Sequence, residues 1–599
     1  MLTPTAPPAD APDGLRAVEL LSGLDSARLD HLAQEVEWFE LTGGQVLFRQ
    51  GDQPDGVYFV VAGRVRVSAT EDDGQERAIT ELGRGETLGE LGLLVASPRS
   101  ATVTALRRSV LARLSTALFE ELLQSDPVVM LRLTQTVARR MLSAQSRDRA
   151  ATSLTTIAVA SLVGDAERGR FVDGLCRALA AHRSVERWDE TILAGAALRN
   201  AIDKAEATGT LVVADVGRAM SPEAAAFLQE SDRVLVVANG QAAPPQRPRD
   251  PDQAVFDAVQ GESGTELVLI QQRGAERPRG TARWLEHHAF EAHHHVRDGD
   301  RSDLARVARH LLGTSVCLVL GGGGARSFAH IGVYRAVLEA GIPIDRVGGS
   351  SIGAVIAAQI AAGMTPEHML EMNDVEWRSA RINRRFALPV VSLLSVRTAV
   401  PMFDRMYGDS MLEDLWVPCF TTTVDLNSCR LVAHRRGGVA RWVRASASPP
   451  GIWPPVVADD GGLHVDGGVL DNLPVQLMRR GGPGQIITVN VSPHQPMVAP
   501  VEGAEPLGSF RLLRSLLAAK GKVASPNIVK ILYRTVVVTS LEAQAKGKAL
   551  SDVYIEPDVS NVGLADYDLI RDIVNAGYDA ARREIERGKG VRLALRVRA

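Results

Sequence analysis

Gly349-Ser350-Ser351-Ile352-Gly353 sets a serine among small residues, after the strand-like Arg346–Gly349 and before the apolar stretch Ala354–Ala362. A tight strand-to-helix turn of this kind holds a hydroxyl clear of its neighbours at the head of a helix, as in a nucleophile elbow, and makes Ser351 the candidate nucleophile. The GxSxG pattern alone also fits a turn without chemistry, so the surrounding residues must decide. Upstream, LVLGGGGARSFAHIGVYRAVLEAGIP places Gly321 to Gly324 between a buried strand and a helix that stops near Gly341-Ile342-Pro343. Glycines there let backbone N–H groups point at an anion, and in an acyl hydrolase such donors stabilise the tetrahedral oxyanion by roughly a few kcal/mol each. A Walker loop would need Gly-Lys-Ser/Thr where Ala325-Arg326-Ser327 stands, and a dinucleotide fingerprint would need a third glycine at Ser327. Downstream, GGLHVDGGVLDNLPV delivers Asp466 from the strand-like Leu463–Val465 into a glycine turn. A carboxylate there can approach a serine without a bulky neighbour, although a solvated turn aspartate fits the same residues.

The elements that must position these groups belong to a chain of 599 residues, enough for about three or four folding units at roughly 150 residues each. Apolar residues are 45% and charged residues 23%, an ordinary globular balance, and the net charge of −4 gives no global pull towards nucleic acid. Cys176, Cys317, Cys419 and Cys429 are widely spaced, which supports neither a disulfide framework nor a zinc knuckle and fits a reducing cytosol. The start MLTPTAPPADAPDG lacks a basic and an apolar leader segment. No apolar run approaches the roughly 20 residues of a membrane span, so the expected location is cytoplasmic.

Residues 1–14 read as a disordered arm. From 15 to 150, short β-type runs punctuated by Gly and Asp, followed by helical patterning after Ser115, predict a small β-barrel or jelly roll with helices. From 151 to 312, TTIAVASLV, TLVVADV, RVLVVAN and ELVLI alternate with helical segments and predict an α/β domain with a largely parallel sheet. It contains neither GxxxxGK[ST] nor GxGxxG and reads as a non-catalytic spacer without a nucleotide loop. The third unit, 313–599, begins with SVCLVL and carries the candidate chemistry, with a C-terminal helical extension.

GGGGAR, GGSSIGA, RASASPPGIWPPV at 444–456 and DGGVLDNLPV, in this order, resemble the patatin-like phospholipase family over about 315–480. The resemblance implies an α/β/α hydrolase and a Ser-Asp dyad: Ser351 attacks an ester carbonyl, Asp466 is the general base, and Gly322, Gly323, Gly324 and Arg326 form the oxyanion loop. Ser327 departs from a glycine frequent in that family. His330 and His464 are then structural, and no catalytic cofactor is implied.

GDQPDGVYFVVAGRVRV at 51–67 and LGELGLLVASPRSATV at 88–103 resemble a cyclic-nucleotide-binding domain. In that resemblance Glu90 accepts the ribose hydroxyl, Arg99, Ser100 and nearby amides hold the phosphate charge, and Gly89 and Gly92 allow close approach. The Arg-Ser-Ala order favours cAMP, with cGMP the alternative. No basic recognition helix follows, which removes a DNA-reading function. The order of the three domains is similar to the cytosolic part of neuropathy target esterase and its bacterial relatives.

The expected function is a serine esterase acting on phospholipid or lysophospholipid acyl esters, with a cyclic nucleotide as regulatory ligand. The alternatives are a nucleotide sensor or scaffold with an inactive hydrolase-like domain, and a lipid acyltransferase with the same dyad. The basic amphipathic stretch Phe510–Lys522 and the basic end Arg592–Arg598 suit peripheral contact with the inner membrane surface, but packing against protein is the favoured reading of the first, and fraying is the alternative for the second. His287, His288, His293, His294 and His295 lack a cysteine or carboxylate at ligand spacing. They are read as a surface or interdomain segment without metal.

Overall fold

Glycine- and aspartate-punctuated strands close into two four-stranded antiparallel sheets in the N-terminal part of this computed structural model. The structure describes residues 4–7, 11–70, 76–95, 97–145, 154–195, 198–218, 220–245, 253–259, 264–380, 390–395, 397, 399–492 and 538–588. They fall into two compact units, chiefly Met1–Ser315 and Val316–Arg479 with Gln485–Arg596. The stretches 510–522 and 592–598 lie outside the described residues.

In the first unit one sheet runs Glu37–Leu41, Ser109–Ser115, Gly56–Ala62, Thr87–Leu88. The other runs Val46–Phe48, Thr102–Ala105, Arg64–Thr70, Glu76–Gly83. Alternation puts Phe39, Tyr58, Val60, Val65 and Leu111 between the sheets, while Val57, Phe59 and Leu114 face the helices that follow. The arm expected to be disordered over 1–14 is in part built into this core. Thr5 N donates to Trp38 O at 2.8 Å, and Ala11–Arg16 is a helix whose Ala11 and Leu15 are buried, because their apolar side chains complete the face over Val61.

The same unit holds a six-stranded parallel sheet in the order Val185–Trp188, Leu211–Gly217, Thr156–Ser161, Arg233–Asn239, Thr265–Gln271, Ala292–Arg297. Its four central strands are buried almost throughout, as a sheet covered by helices on both faces requires. Buried charge joins it to the barrel. Arg64 Nε and Arg107 Nε lie 2.9 Å and 3.1 Å from Asp232 Oδ1, and Arg107 also pairs with Glu206 and donates to Glu230 O at 2.7 Å. Burial alone would raise the Asp232 carboxyl, but Arg107 and Arg64 hold it well below its ordinary range.

The second unit is built on an eight-stranded mixed sheet. Its path is Val456–Val457, Leu463–Asp466, Cys419–Asp425, Arg346–Ser350, Val316–Leu320, Gln485–Val489, Val553–Ile555, with Arg430–His434 also paired to Cys419–Asp425. The central strands are parallel, and Leu463–Asp466 returns antiparallel, which brings the chain back to the end where Ser351 leaves its own strand. Among the described residues no helix is long and apolar enough to cross a membrane.

The helices Ala329–Glu339 and Ile570–Glu586 meet backbone to backbone. A Cβ on Gly332 would stand 1.8 Å from Val574 O, and one on Gly577 1.9 Å from Ala329 O. Alanine normally improves a helix by about 1 kcal/mol over glycine. Here the clash outweighs that gain: Gly332→Ala and Gly577→Ala should each cost about 1–3 kcal/mol, read as a lower urea midpoint. A raised midpoint would show that the two backbones do not touch.

Candidate active site and nucleotide pocket

The strand Arg346–Ser350 ends in a turn that forces Ser351 to φ 56°, a left-handed conformation costly for a residue with a Cβ. Its neighbours are glycine because the backbones are in contact. A Cβ on Gly349 would lie 2.6 Å from the Gly353 carbonyl carbon, and one on Gly353 2.4 Å from Leu320 O. The turn is pinned from outside, since Ser351 N donates to Ser446 Oγ at 2.9 Å. The helix Ile352–Ala361 starts directly beyond.

Asp466 arrives on the antiparallel strand, opposite Thr423, and its backbone N donates to Ser448 O at 2.9 Å. Ser351 Oγ donates to Asp466 Oδ2 at 2.7 Å, and Gly468 N donates to Asp466 Oδ1 at 2.8 Å. Burial pushes the Asp466 carboxyl up to about 7, against the opposing pull of those two hydrogen bonds. Glycine follows the acid because a Cβ on Gly467 would stand 2.4 Å from Thr422 Oγ1.

The glycine-rich loop lies against the serine: a Cβ on Gly322 would be 2.6 Å from Ser351 Cβ. Among the described residues the N–H groups of Gly322 and Gly323 meet no acceptor, as a site for a developing negative charge requires. Gly324 takes φ 59° and its Cα faces Leu564 O, so the left-handed position is filled by glycine. Ser327 sits at negative φ inside the short 3-10 turn Gly324–Phe328, and a side chain is accommodated there. The Arg326 side chain donates to Val562 O at 2.6 Å and anchors the loop from its far side.

Among the described residues none of the nearby histidines bonds to Ser351. His330 is fully buried, its Nε2 lies 2.7 Å from Gly321 O, and burial pushes its imidazole down to about 4. His464 Nδ1 and His434 Nε2 share Thr423 Oγ1, at 2.8 Å and 2.6 Å. The groups missed in the sequence are Ser446, Asn472 and Ser492. The first two lie inside the quoted motifs without any chemical signature of their own, and Ser492 gives no signal.

In the first unit Gly89 takes φ 83°, and a Cβ there would meet Arg99 Nη1 at 2.4 Å. Arg99 donates to Gly89 O and Gly56 O, both at 2.9 Å, and to Asp55 Oδ1 at 2.7 Å, with its guanidinium 4.2 Å above the Phe48 ring. Glu90 is buried and paired through Oε1 with Arg140 on the helix Pro127–Gln145. Glu90 Oε2 and Arg99 Nε are buried without a hydrogen-bond partner among the described residues. Ser100 is exposed beside Arg99.

The histidine-rich segment expected at a surface is instead the strand Ala292–Arg297, with His294 and His295 buried. Parallel pairing with Thr265–Gln271 puts Glu266 Oε2 2.8 Å from His294 Nε2, and His310 Nε2 lies 3.3 Å from Glu266 Oε1. The carboxylate that the local spacing lacked comes from another strand. Its oxygens are already taken up by the two rings, and Arg233 Nε stands 3.8 Å away.

Two family models match the chain: patatin-like phospholipase over residues 318–479 and cyclic nucleotide-binding domain over 38–126. An uncharacterized NTE family protein of Mycobacterium bovis is 30% identical over 96% of this chain and 97% of its own length. The patatin-like phospholipase domain-containing protein 6 of Mus musculus is 27% identical over 91% of this chain and 44% of its own length. The lysophospholipase nte1 of Aspergillus fumigatus is 27% identical over 93% and 42%. The chain thus spans less than half the length of the mouse and fungal proteins.

The raised Asp466 carboxyl has a consequence for stability. Its folded value of about 7 lies above the ordinary 3.8, so the native state holds more protons between those values, and stability from this group is lost as pH rises through about 7. Asp466→Asn should therefore stabilise the fold at pH 8 by on the order of 2–4 kcal/mol, and hardly at all at pH 4, read as the shift of the thermal unfolding midpoint. Equal midpoints at pH 8 would contradict the burial argument.

Proposed function

The chain belongs to the NTE family, and from that premise we propose that it is a serine esterase that hydrolyses phospholipid or lysophospholipid acyl esters through Ser351 and Asp466, with a cyclic nucleotide as regulatory ligand. The observation that carries the reading is the 2.7 Å hydrogen bond from Ser351 Oγ to a buried carboxylate poised near neutrality. A base poised near the working pH is ionised enough to accept a proton and basic enough to draw it. Ser351 Oγ bonds to the acyl carbon while its proton passes to Asp466. The tetrahedral intermediate collapses, and the leaving alcohol takes that proton as the ester bond breaks. Water then repeats the sequence on the acyl-enzyme, delivering a proton to Asp466 and releasing the fatty acid and Ser351. The amides of the 322–324 loop offer the oxyanion its donors. The substrate class follows the printed names of the mouse and fungal relatives, a phospholipase-domain protein and a lysophospholipase.

The nucleotide reading is supported by the two unsatisfied buried atoms, Glu90 Oε2 and Arg99 Nε, on the residues that would take a ribose hydroxyl and a phosphate. Binding of cAMP that favours one of two states of differing activity is what regulation requires.

Hydrolysis of a short-chain ester and of a lysophospholipid should fall about a thousandfold or more in Ser351→Ala and in Asp466→Asn. In the wild type kcat/KM should rise about tenfold per pH unit up to a limb near 7 and then level, because the unprotonated carboxylate is the base. Full activity in Ser351→Ala would sink the esterase reading in favour of a sensor or scaffold, and product transfer to an added alcohol would favour an acyltransferase. By calorimetry cAMP should bind the wild type and bind Glu90→Gln about tenfold more weakly. Equal ester rates with and without cAMP would leave the barrel a docking module.

A further inference from the structure

The peptide between Gly322 and Gly323 joins the two residues least able to hold their own conformation, since neither has a Cβ to restrict its dihedrals. It is nevertheless held on one side by two separate segments. Asn472 Nδ2 donates to Gly322 O at 3.0 Å, and Ser492 Oγ donates to the same oxygen at 2.8 Å. Both side chains are buried, and the backbone N of Ser492 is in turn held by Asn490 Oδ1 at 3.0 Å. The trans peptide is planar, so fixing its carbonyl towards these donors fixes the N–H of Gly323 in the opposite direction. Among the described residues that N–H meets no acceptor, and the Gly322 Cα stands against Ser351. On the other flank a Cβ on Gly323 would strike Val491 Cγ2 at 2.7 Å and Ser492 Oγ at 3.0 Å, which closes the side from which the peptide is gripped.

Asn472 lies six residues after Asp466, across the short turn Gly467–Val469. One segment therefore presents the carboxylate to Ser351 and holds the glycine loop opposite it. Ser492 reaches the same oxygen from beyond the strand Gln485–Val489. A 322–323 peptide free to rotate would present its carbonyl oxygen to the developing oxyanion, a repulsion where a donor is needed.

We infer that Asn472 and Ser492 are positioning residues that lock the Gly322–Gly323 peptide so that the Gly323 amide faces the oxyanion formed at Ser351. This rests on the esterase reading and adds to it the pair of side chains that set the oxyanion donor's direction.

The test uses the full-length chain with Asn472→Leu, Ser492→Ala and the double variant. On a short-chain ester, kcat should fall about tenfold in each single variant and about a hundredfold in the double, with KM within about twofold and the rising pH limb unmoved. A fluorophosphonate gives a second reading, by intact mass: Ser351 Oγ bonds to phosphorus, fluoride leaves, Asp466 takes the proton, and the phosphoryl oxygen needs the same donors. Its rate of labelling should fall in parallel. Ser492→Ala removes one oxygen atom, which separates the effect from misfolding in the bulkier change. Undiminished rates in the variants of an active wild type would overturn the positioning role alone. So would a loss accompanied by a shifted pH limb, which would place the effect on Asp466, or unfolding of both single variants. A wild type with neither Ser351-dependent turnover nor Ser351 labelling would overturn the esterase reading, and this inference with it.

Discussion

The candidate site of the second unit depends on keeping one carboxyl group out of water beside one hydroxyl. Asp466 is buried, and its two oxygens have the Ser351 hydroxyl and the Gly468 amide as donors, with no cation among the causes that set its protonation. An arginine in contact would hold the carboxylate ionised and weaken it as a base; full exposure would return it to its ordinary acidity.

That arrangement demands backbones in contact, and glycine makes the contacts possible. Gly349 and Gly353 let the elbow close on Leu320, Gly322 lets the loop reach Ser351, and Gly467 lets the acid's strand pass Thr422. Farther out, Gly332 and Gly577 bring the loop's own helix, Ala329–Glu339, against Ile570–Glu586. Segments distant in the chain then brace both parts of the site: Ser446 holds the elbow at Ser351, and Asn472 and Ser492 hold the loop at Gly322.

The first unit solves a different problem with charge. The barrel and the parallel sheet meet through Arg64 and Arg107 around Asp232, groups that would be costly to bury singly and are tolerable because each has partners. The same contact adds Arg66 with Glu291 towards its rim and the more deeply buried pair Arg233 with Glu81. In the candidate nucleotide pocket Glu90 and Arg99 each keep one buried atom without a hydrogen-bond partner among the described residues.

The periodicity of apolar residues and the placing of glycine and aspartate were enough to lay out a barrel, a parallel α/β domain and a hydrolase-like unit, because these signals act over a few residues. The glycine runs and the Ser351 turn were legible for the same reason: a backbone constraint is written locally. The helix at Ala11–Arg16 was not, since its support comes from Val61, and the histidines at 294 and 295 were misplaced, since only strand pairing buries them and brings Glu266 to His294. By itself the sequence determined which residues had the chemistry to act as nucleophile, base and anion donors. Only the tertiary structure decided that Ser351 and Asp466, 115 residues apart, share a hydrogen bond, and that Asn472 and Ser492 converge on Gly322, because burial and direction in space are set by packing between strands remote in the chain.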